Sequence, residues 1–204
     1  LRVTGGELKV KALLSGEADG EPWAEKANQL RLYSGAEVFA DPSNIRTLIE
    51  QHELITLGGS RYLLVEFDFG LPGSVLLRTL EAIAQRGLVP VVAHPERYDA
   101  VQRDPGLAAW CFSRGMLLQL NKGSLLGLLG SRAEDTALHL LSHGLAHLIA
   151  SDAHDDRFRT TGFRSLLPVL EPICHPDYIA LLLHGNPRRI LRDEPIPIPP
   201  LQSD

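Results

Sequence analysis

From residue 62 to residue 154 the chain alternates between two hydrophobic rhythms. Short, nearly continuous apolar runs, YLLVEF (62–67), LVPVVAH (88–94), MLLQLN (116–121) and LAHLIASDAH (145–154), read as strands. Between them lie longer segments whose apolar residues recur three or four positions apart. In GSVLLRTLEAIAQRG (73–87), Val75, Leu76, Leu80 and Ile83 fall on one side of a helix. PGLAAWCFSRG (105–115) and SRAEDTALHLLSHG (131–144) are read as two further helices, the second opening on Ser131 and Glu134, spaced for a capping box. All three segments end at a glycine, Gly87, Gly115 and Gly144. Arg86, Arg114 and His143 precede these glycines, cations placed where the helix dipole favours them. Upstream, RLYSGAEV (31–38) reads as a strand and SNIRTLIEQH (43–52) as a short helix. After Gly162 the segments FRSLLPVL, PDYIALLLHG and NPRRILRD read as helices, and EPIPIPPLQSD (194–204) as an extended tail outside the core.

Strands rich in Val, Ile and Leu that alternate with helices predict an α/β domain around a parallel sheet buried on both faces. In barrels of this type, side chains at the carboxyl ends of successive strands converge on one site. Those ends carry Glu37, Glu66, His94, Asn121 and then Asp152 with His154. Two imidazoles and three carboxylates form a mixed nitrogen and oxygen donor set, which suits manganese, iron or zinc better than calcium. If SDAH continues its strand, Asp152 and His154 point to the same face and reach one ion. Taken singly, each residue fits a solvated loop or a cap equally well; five at matching places favour a metal site. Arg97 follows His94 by three positions, and Arg157 and Arg159 lie just past His154. Guanidinium groups beside metal ions suit phosphate oxygens, which they bind as a fork. Their blander role is to balance Glu96, Asp155 and Asp156.

Composition narrows the classes. The 204 residues allow one sizeable domain, and a net charge of −5 argues against a nucleic-acid partner. No apolar run approaches the roughly 18 residues of a membrane helix. Cys111 and Cys174 are far apart and lie in no thiol-phosphatase loop, and the chain has neither a nucleophile elbow nor a phosphate-binding glycine loop. His139 and His143 have a zinc-compatible spacing but belong to an outer helix, so a surface role is expected. His52, His147, His175 and His184 are expected to pack or to face solvent. The chain starts at Leu1, its one methionine is Met116, and no leader pattern is present.

The motifs AHPERY, LQLNKGSLLGLLG, ASDAHDDRFR and NPRRIL, in this order, resemble the bacterial PHP-type (polymerase and histidinol phosphatase superfamily) protein-tyrosine phosphatases encoded with capsule and exopolysaccharide genes. GAEV and LLVEF resemble the two upstream glutamate motifs of that family. The likeness runs from about Gly35 to Leu191. It implies a distorted (β/α)7 barrel lacking its first strand-helix-strand unit, occupying residues 1–192, with residues 193–204 as the tail. It also implies a cluster of two or three manganese ions, with iron or zinc as alternatives. The implied activity is cytoplasmic dephosphorylation, by metal-activated hydroxide, of tyrosine kinases that control polysaccharide export. By motif, Glu37, Glu66, His94, Asp152 and His154 become metal ligands, with Glu66 bridging. Arg97 becomes a phosphate clamp, and Arg157 or Arg159 shares that task. The family also opens with an H-x-H pair on its first strand and a histidine after its second, neither of which this chain carries. The expectation is therefore about 40 to 50 further residues in front, forming a strand, helix and strand, without which metal binding and turnover would be weak. Two rivals share the motifs: a phosphatase of small esters such as histidinol phosphate, and a non-catalytic fragment that binds phosphotyrosine or a partner kinase.

Overall fold

The computed structural model describes residues 2–3, 6–7, 9–10, 33–50, 54–154 and 160–197. A six-stranded sheet forms the centre. Strand β3 (Lys9–Val10) runs antiparallel to β4 (Ala36–Phe39). From there β4, β5 (Tyr62–Glu66), β6 (Val89–Ala93), β7 (Leu117–Asn121) and β8 (Leu148–Ala150) pair in parallel and in chain order. A separate antiparallel pair joins β1 (Arg2–Val3) to β2 (Gly6–Glu7).

Unbroken strand order has a consequence. Right-handed crossovers between neighbouring parallel strands deliver every intervening helix to the same side of the sheet. These are α1 (Ile45–Glu50), α2 (Gly73–Ala84), α3 (Asp99–Arg103), α4 (Gly106–Ser113), α5 (Lys122–Leu125) and α6 (Ser131–Ser142). Accordingly Leu63, Val65, Phe67, Val92, Leu118, Leu120 and Ile149 of one face pack with Leu76, Leu80 and Ile83, with Cys111 and Phe112, and with Ala137, Leu140 and Leu141. The alternate residues Tyr62, Leu64, Val91, Ala93, Leu117 and Leu148 form a second, smaller cluster with Leu57 and Ile190. Both faces are thus apolar, which is why the strands read as continuous runs rather than alternations.

After β8 the chain turns through α7 (Leu167–Leu170) and α8 (Pro176–Ala180), then one π-turn, into α9 (Asn186–Leu191). The beginning of the tail is tied down. Arg61 Nε meets Asp193 Oδ1 at 2.9 Å, Tyr62 donates its hydroxyl to the Glu194 carbonyl at 2.7 Å, and Ile196 packs on the smaller cluster.

Gly87, Gly115 and Gly144 take φ of 80°, 73° and 67°, so the three expected glycine stops are present. The expected capping box is not. Ser131 is the first residue inside α6, and Gly130 at φ 97° occupies the cap position with no side chain to offer. Among the described residues, no helix is long and apolar enough to cross a membrane.

Candidate metal centre

The register sets the site. Glu37 aligns with Leu64, and Phe39 with Glu66, so both carboxylates share the sheet face that the crossover helices leave uncovered. Val65 aligns with Val92, which carries Glu66 opposite Ala93 and would turn the next residue, His94, to the other face. His94 escapes this alternation because its backbone turns left-handed, with φ 34° and ψ 58°. The turn brings His94 Nε2 to 3.2 Å from Glu66 Oε1 and 3.5 Å from Glu37 Oε1. Each of the three residues offers a ligand atom, and these atoms lie within 4.8 Å of one another. Glu37 and His94 are buried and Glu66 is partly open to solvent.

Electrostatics fit a cation here. Burial pulls the His94 imidazole down, but hydrogen bonds to Glu37 and Glu66 and the field of Glu96 outweigh it, raising His94 to about 9. At neutral pH a proton is therefore held on Nε2 between two carboxylates, the position a divalent ion would take over. Two carboxylates and an imidazole are the donor set that manganese, iron and zinc accept.

Asp152 and His154 stand outside this three-residue group. Strand β8 ends at Ala150 and Asp152 has φ 45°, so SDAH bends away instead of continuing extended, and the period-two argument for these side chains does not apply. His154 Nδ1 instead donates to the Asp152 carbonyl at 2.7 Å. A carbonyl only accepts, so the proton of this bond is on Nδ1. Asp152 Oδ2 accepts from Asn121 Nδ2 at 2.9 Å.

Asn121 connects the two halves. Its Oδ1 accepts from Gly123 N at 2.7 Å, capping α5, and its own N donates to Glu96 Oε1 at 3.0 Å. Ser124 donates to the same oxygen at 2.7 Å. Glu96 is fully buried, and burial raises its pKa against the pull of Ser124. Glu96 and Asn121 thus fasten the loop after β6 to β7 and, through Asp152, to the end of β8. The sequence places Asn121 at a strand end without a role, and Glu96 enters it only as the blander partner for Arg97. Lys122, buried beside Asn121, donates to the carbonyls of Thr160 and Gly162 at 2.5 and 2.8 Å, tying those two residues to the end of β7.

Arg97 stacks over Phe69, with its guanidinium carbon 4.4 Å from the ring centroid. Among the described residues no carboxylate pairs with it. Arg157 and Arg159 lie outside the described residues, as does His52. His139 on α6 and His143 at its C-terminal cap are exposed with ring centroids 4.1 Å apart, as expected of a surface pair. His175 caps α8, and His147 is core. Burial pushes the Cys111 thiol up to about 12 and the Cys174 thiol up to about 11, so neither is a thiolate nucleophile.

Residues 19–192 match the family model described as capsular polysaccharide synthesis, CpsB/CapC. The chain is 29% identical over 148 residues to the tyrosine-protein phosphatase YwqE of Bacillus subtilis, covering 72% of this chain and 58% of that protein. It is 28% identical over 175 residues to the tyrosine-protein phosphatase CpsB of Streptococcus pneumoniae, covering 83% of this chain and 72% of the other. A crystal structure from work on these two proteins, described as unique metal-dependent tyrosine phosphatases, superposes with a TM-score of 0.75 at 26% identity. That superposition covers 89% of this chain and 74% of the other. The chain spans from about half to about three quarters of the length of the curated relatives it matches.

Proposed function

Because the chain belongs to the CpsB/CapC family of capsular polysaccharide synthesis, we propose that its protein is a metal-dependent phosphatase that hydrolyses phosphotyrosine in proteins. One observation carries this reading: Glu37 within β4, Glu66 at the end of β5 and His94 just after β6 hold their ligand atoms within 4.8 Å of one another. In this reading Asp152 and His154 complete the ligand set, and the ions are manganese, two or three in number. The sequential parallel strands, with crossover helices on one face, support a (β/α)7-type barrel over residues 1–192 with 193–204 as its tail. The substrate we favour is a tyrosine-phosphorylated kinase of polysaccharide export, met in the cytoplasm.

Bound at this centre, divalent ions would supply Lewis acidity toward phosphoryl oxygens and a water-derived nucleophile at neutral pH. The chain's own residues do the rest. Glu37 and Glu66 provide the negative charge that holds cations at the strand ends. His94 would hold an ion through Nε2 once that nitrogen is deprotonated, and its ring plane is fixed by packing against Phe69 and Tyr98, centroids 5.9 Å away in each case. Arg97 presents a fork of donors to the equatorial oxygens, where charge accumulates in phosphoryl transfer. Arg157 or Arg159 would share this task. A tyrosyl leaving group asks little of the protein, since a phenolate is a far weaker base than an alkoxide.

The test is turnover of a phosphotyrosine peptide by the full-length protein with added manganese. Chelator should abolish activity and manganese restore it. Glu66→Gln should lose on the order of a hundredfold in kcat/KM, at least the effect of removing an outer partner of a ligand. Activity that survives chelation would sink the proposal.

A further inference from the structure

Phe69 is neither a ligand nor part of the core. It lies in the loop between β5 and α2 with 38% of its surface exposed. Its backbone is nevertheless anchored. The Phe69 carbonyl accepts from Asp99 N at 2.9 Å, and Asp68 closes the turn around it, accepting from Gly70 N at 2.9 Å and from Leu71 N at 3.0 Å. The ring is held as firmly. Arg97 covers one side at 4.4 Å, and the ring meets His94 edge-on, centroids 5.9 Å apart at 69°, and Tyr98 at 6.0 Å. An exposed aromatic surface is thus fixed in contact with both a candidate metal ligand and the candidate phosphate clamp.

We propose that Phe69 is a specificity-determining residue that packs against the aromatic ring of an aryl phosphate while its phosphate lies between His94 and Arg97. This rests on the phosphatase reading given above. The placement argues for it directly. A phosphate shared by the strand-end ligands and the Arg97 fork lies beside Phe69, because Phe69 touches both of its neighbours. The substituent esterified to that phosphate then leaves along the apolar ring of Phe69, a residue that keeps 38% of its surface exposed. A phenyl group gains an offset or edge-to-face contact there. A seryl or glyceryl substituent is small and polar and gains almost nothing. The same ring holds Arg97 in its stacked pose, which shortens the search of a long, flexible side chain for its phosphate.

Full-length, manganese-loaded protein and its Phe69→Ala and Phe69→Leu variants should be titrated with phenylphosphonate and with methylphosphonate by calorimetry. Turnover of a phosphotyrosine peptide is followed in parallel. Native protein should bind the phenyl compound about tenfold tighter than the methyl compound, the scale of one aromatic contact. Phe69→Ala should bring that ratio to about one, and Phe69→Leu should leave it in between, since leucine keeps apolar surface without the ring. Equal weakening of both compounds in Phe69→Ala would show that Phe69 only seats Arg97, and an unchanged ratio would show that the ring meets no substrate. Either result overturns this inference while native turnover of the peptide leaves the phosphatase reading standing. Native protein that hydrolyses no phosphotyrosine overturns both.

Discussion

His94 and Asp152 hold left-handed backbone, with φ of 34° and 45°. For residues with a Cβ this costs about 1 kcal/mol or more, and such positions gather at functional sites. Here the twist at His94 has a definite result, since it turns an imidazole from the wrong face of the sheet toward Glu37 and Glu66. His147 is the contrasting histidine. It is buried, its Nδ1 accepts from Leu118 N at 3.1 Å, and Phe112 lies 5.0 Å away ring to ring. Burial lowers its pKa from 6.5 to about 4. The sign follows from which state binds the proton first. As pH falls below 6.5 the unfolded chain takes up a proton that the folded ring refuses, so stability is full above that value and is lost progressively down to about 4. The loss amounts to about 3 kcal/mol. His147→Asn keeps an acceptor where Nδ1 stands and has nothing to titrate. Denaturant unfolding at a series of pH values should show the native protein losing about 3 kcal/mol relative to the variant between about pH 7 and pH 4. Parallel pH profiles would mean that the ring is hydrated and titrates normally.

At the scale of elements, the ends of β5 and β6 are joined by one side chain. Tyr98 is fully buried, donates its hydroxyl to the Ala93 carbonyl at 2.8 Å and accepts from Phe67 N at 3.1 Å. Tyr98→Phe leaves both backbone groups buried and unpaired, at about 1 to 3 kcal/mol per group. Urea unfolding should show this loss, and manganese affinity should fall about tenfold because the strand ends carrying Glu66 and His94 are no longer fastened. An unchanged urea midpoint would show that water replaces the hydroxyl. Sequence reasoning reached much of this architecture, because strands, amphipathic helices and glycine stops are written in local periodicity. Glu66 and His94 were legible for the same reason, each being the first polar residue after an apolar run, whereas Glu37 follows only Ser34, Gly35 and Ala36 and is marked by the likeness of GAEV to a family motif. What escaped it depends on pairs distant in the chain or on backbone angles. Nothing in SDAH marks a left-handed Asp152, and nothing in SRAE shows that Gly130 takes the cap. The sequence offers for Glu96 only the bland role of a counter-charge, whereas its Oε1 accepts from Asn121 N and Ser124 Oγ. Phe69 carries no signal in the sequence, since its surroundings are made by Arg97 and His94 from the next strand's end.

On the scale of the whole molecule, acidic residues outnumber basic ones, 25 to 20, and two of the carboxylates are brought together at the strand ends around one imidazole. Without a metal that arrangement depends on the His94 proton, whose raised pKa reports how strongly the two glutamates call for a positive charge. A divalent ion bound to Glu37, Glu66 and His94 would supply more charge and would tie β4, β5 and β6 together, three strands that share no covalent crosslink. An ion that binds the folded site and not the unfolded chain must stabilise the fold by mass action. At about a hundred times its dissociation constant the gain is about 2.7 kcal/mol, which for a chain of this length raises Tm by about 5 to 10 °C. Manganese added to the full-length protein should therefore shift its thermal transition upward in a concentration-dependent way, and chelator should reverse the shift. Glu37→Gln and Glu66→Gln should behave differently from a simple loss of stability. Each removes a carboxylate that pairs with the His94 proton, so the metal-free transition should fall as well, while the rise on adding manganese should disappear. A variant that still rises like the native protein would place the ion away from these two glutamates and would remove the basis for assigning them as ligands.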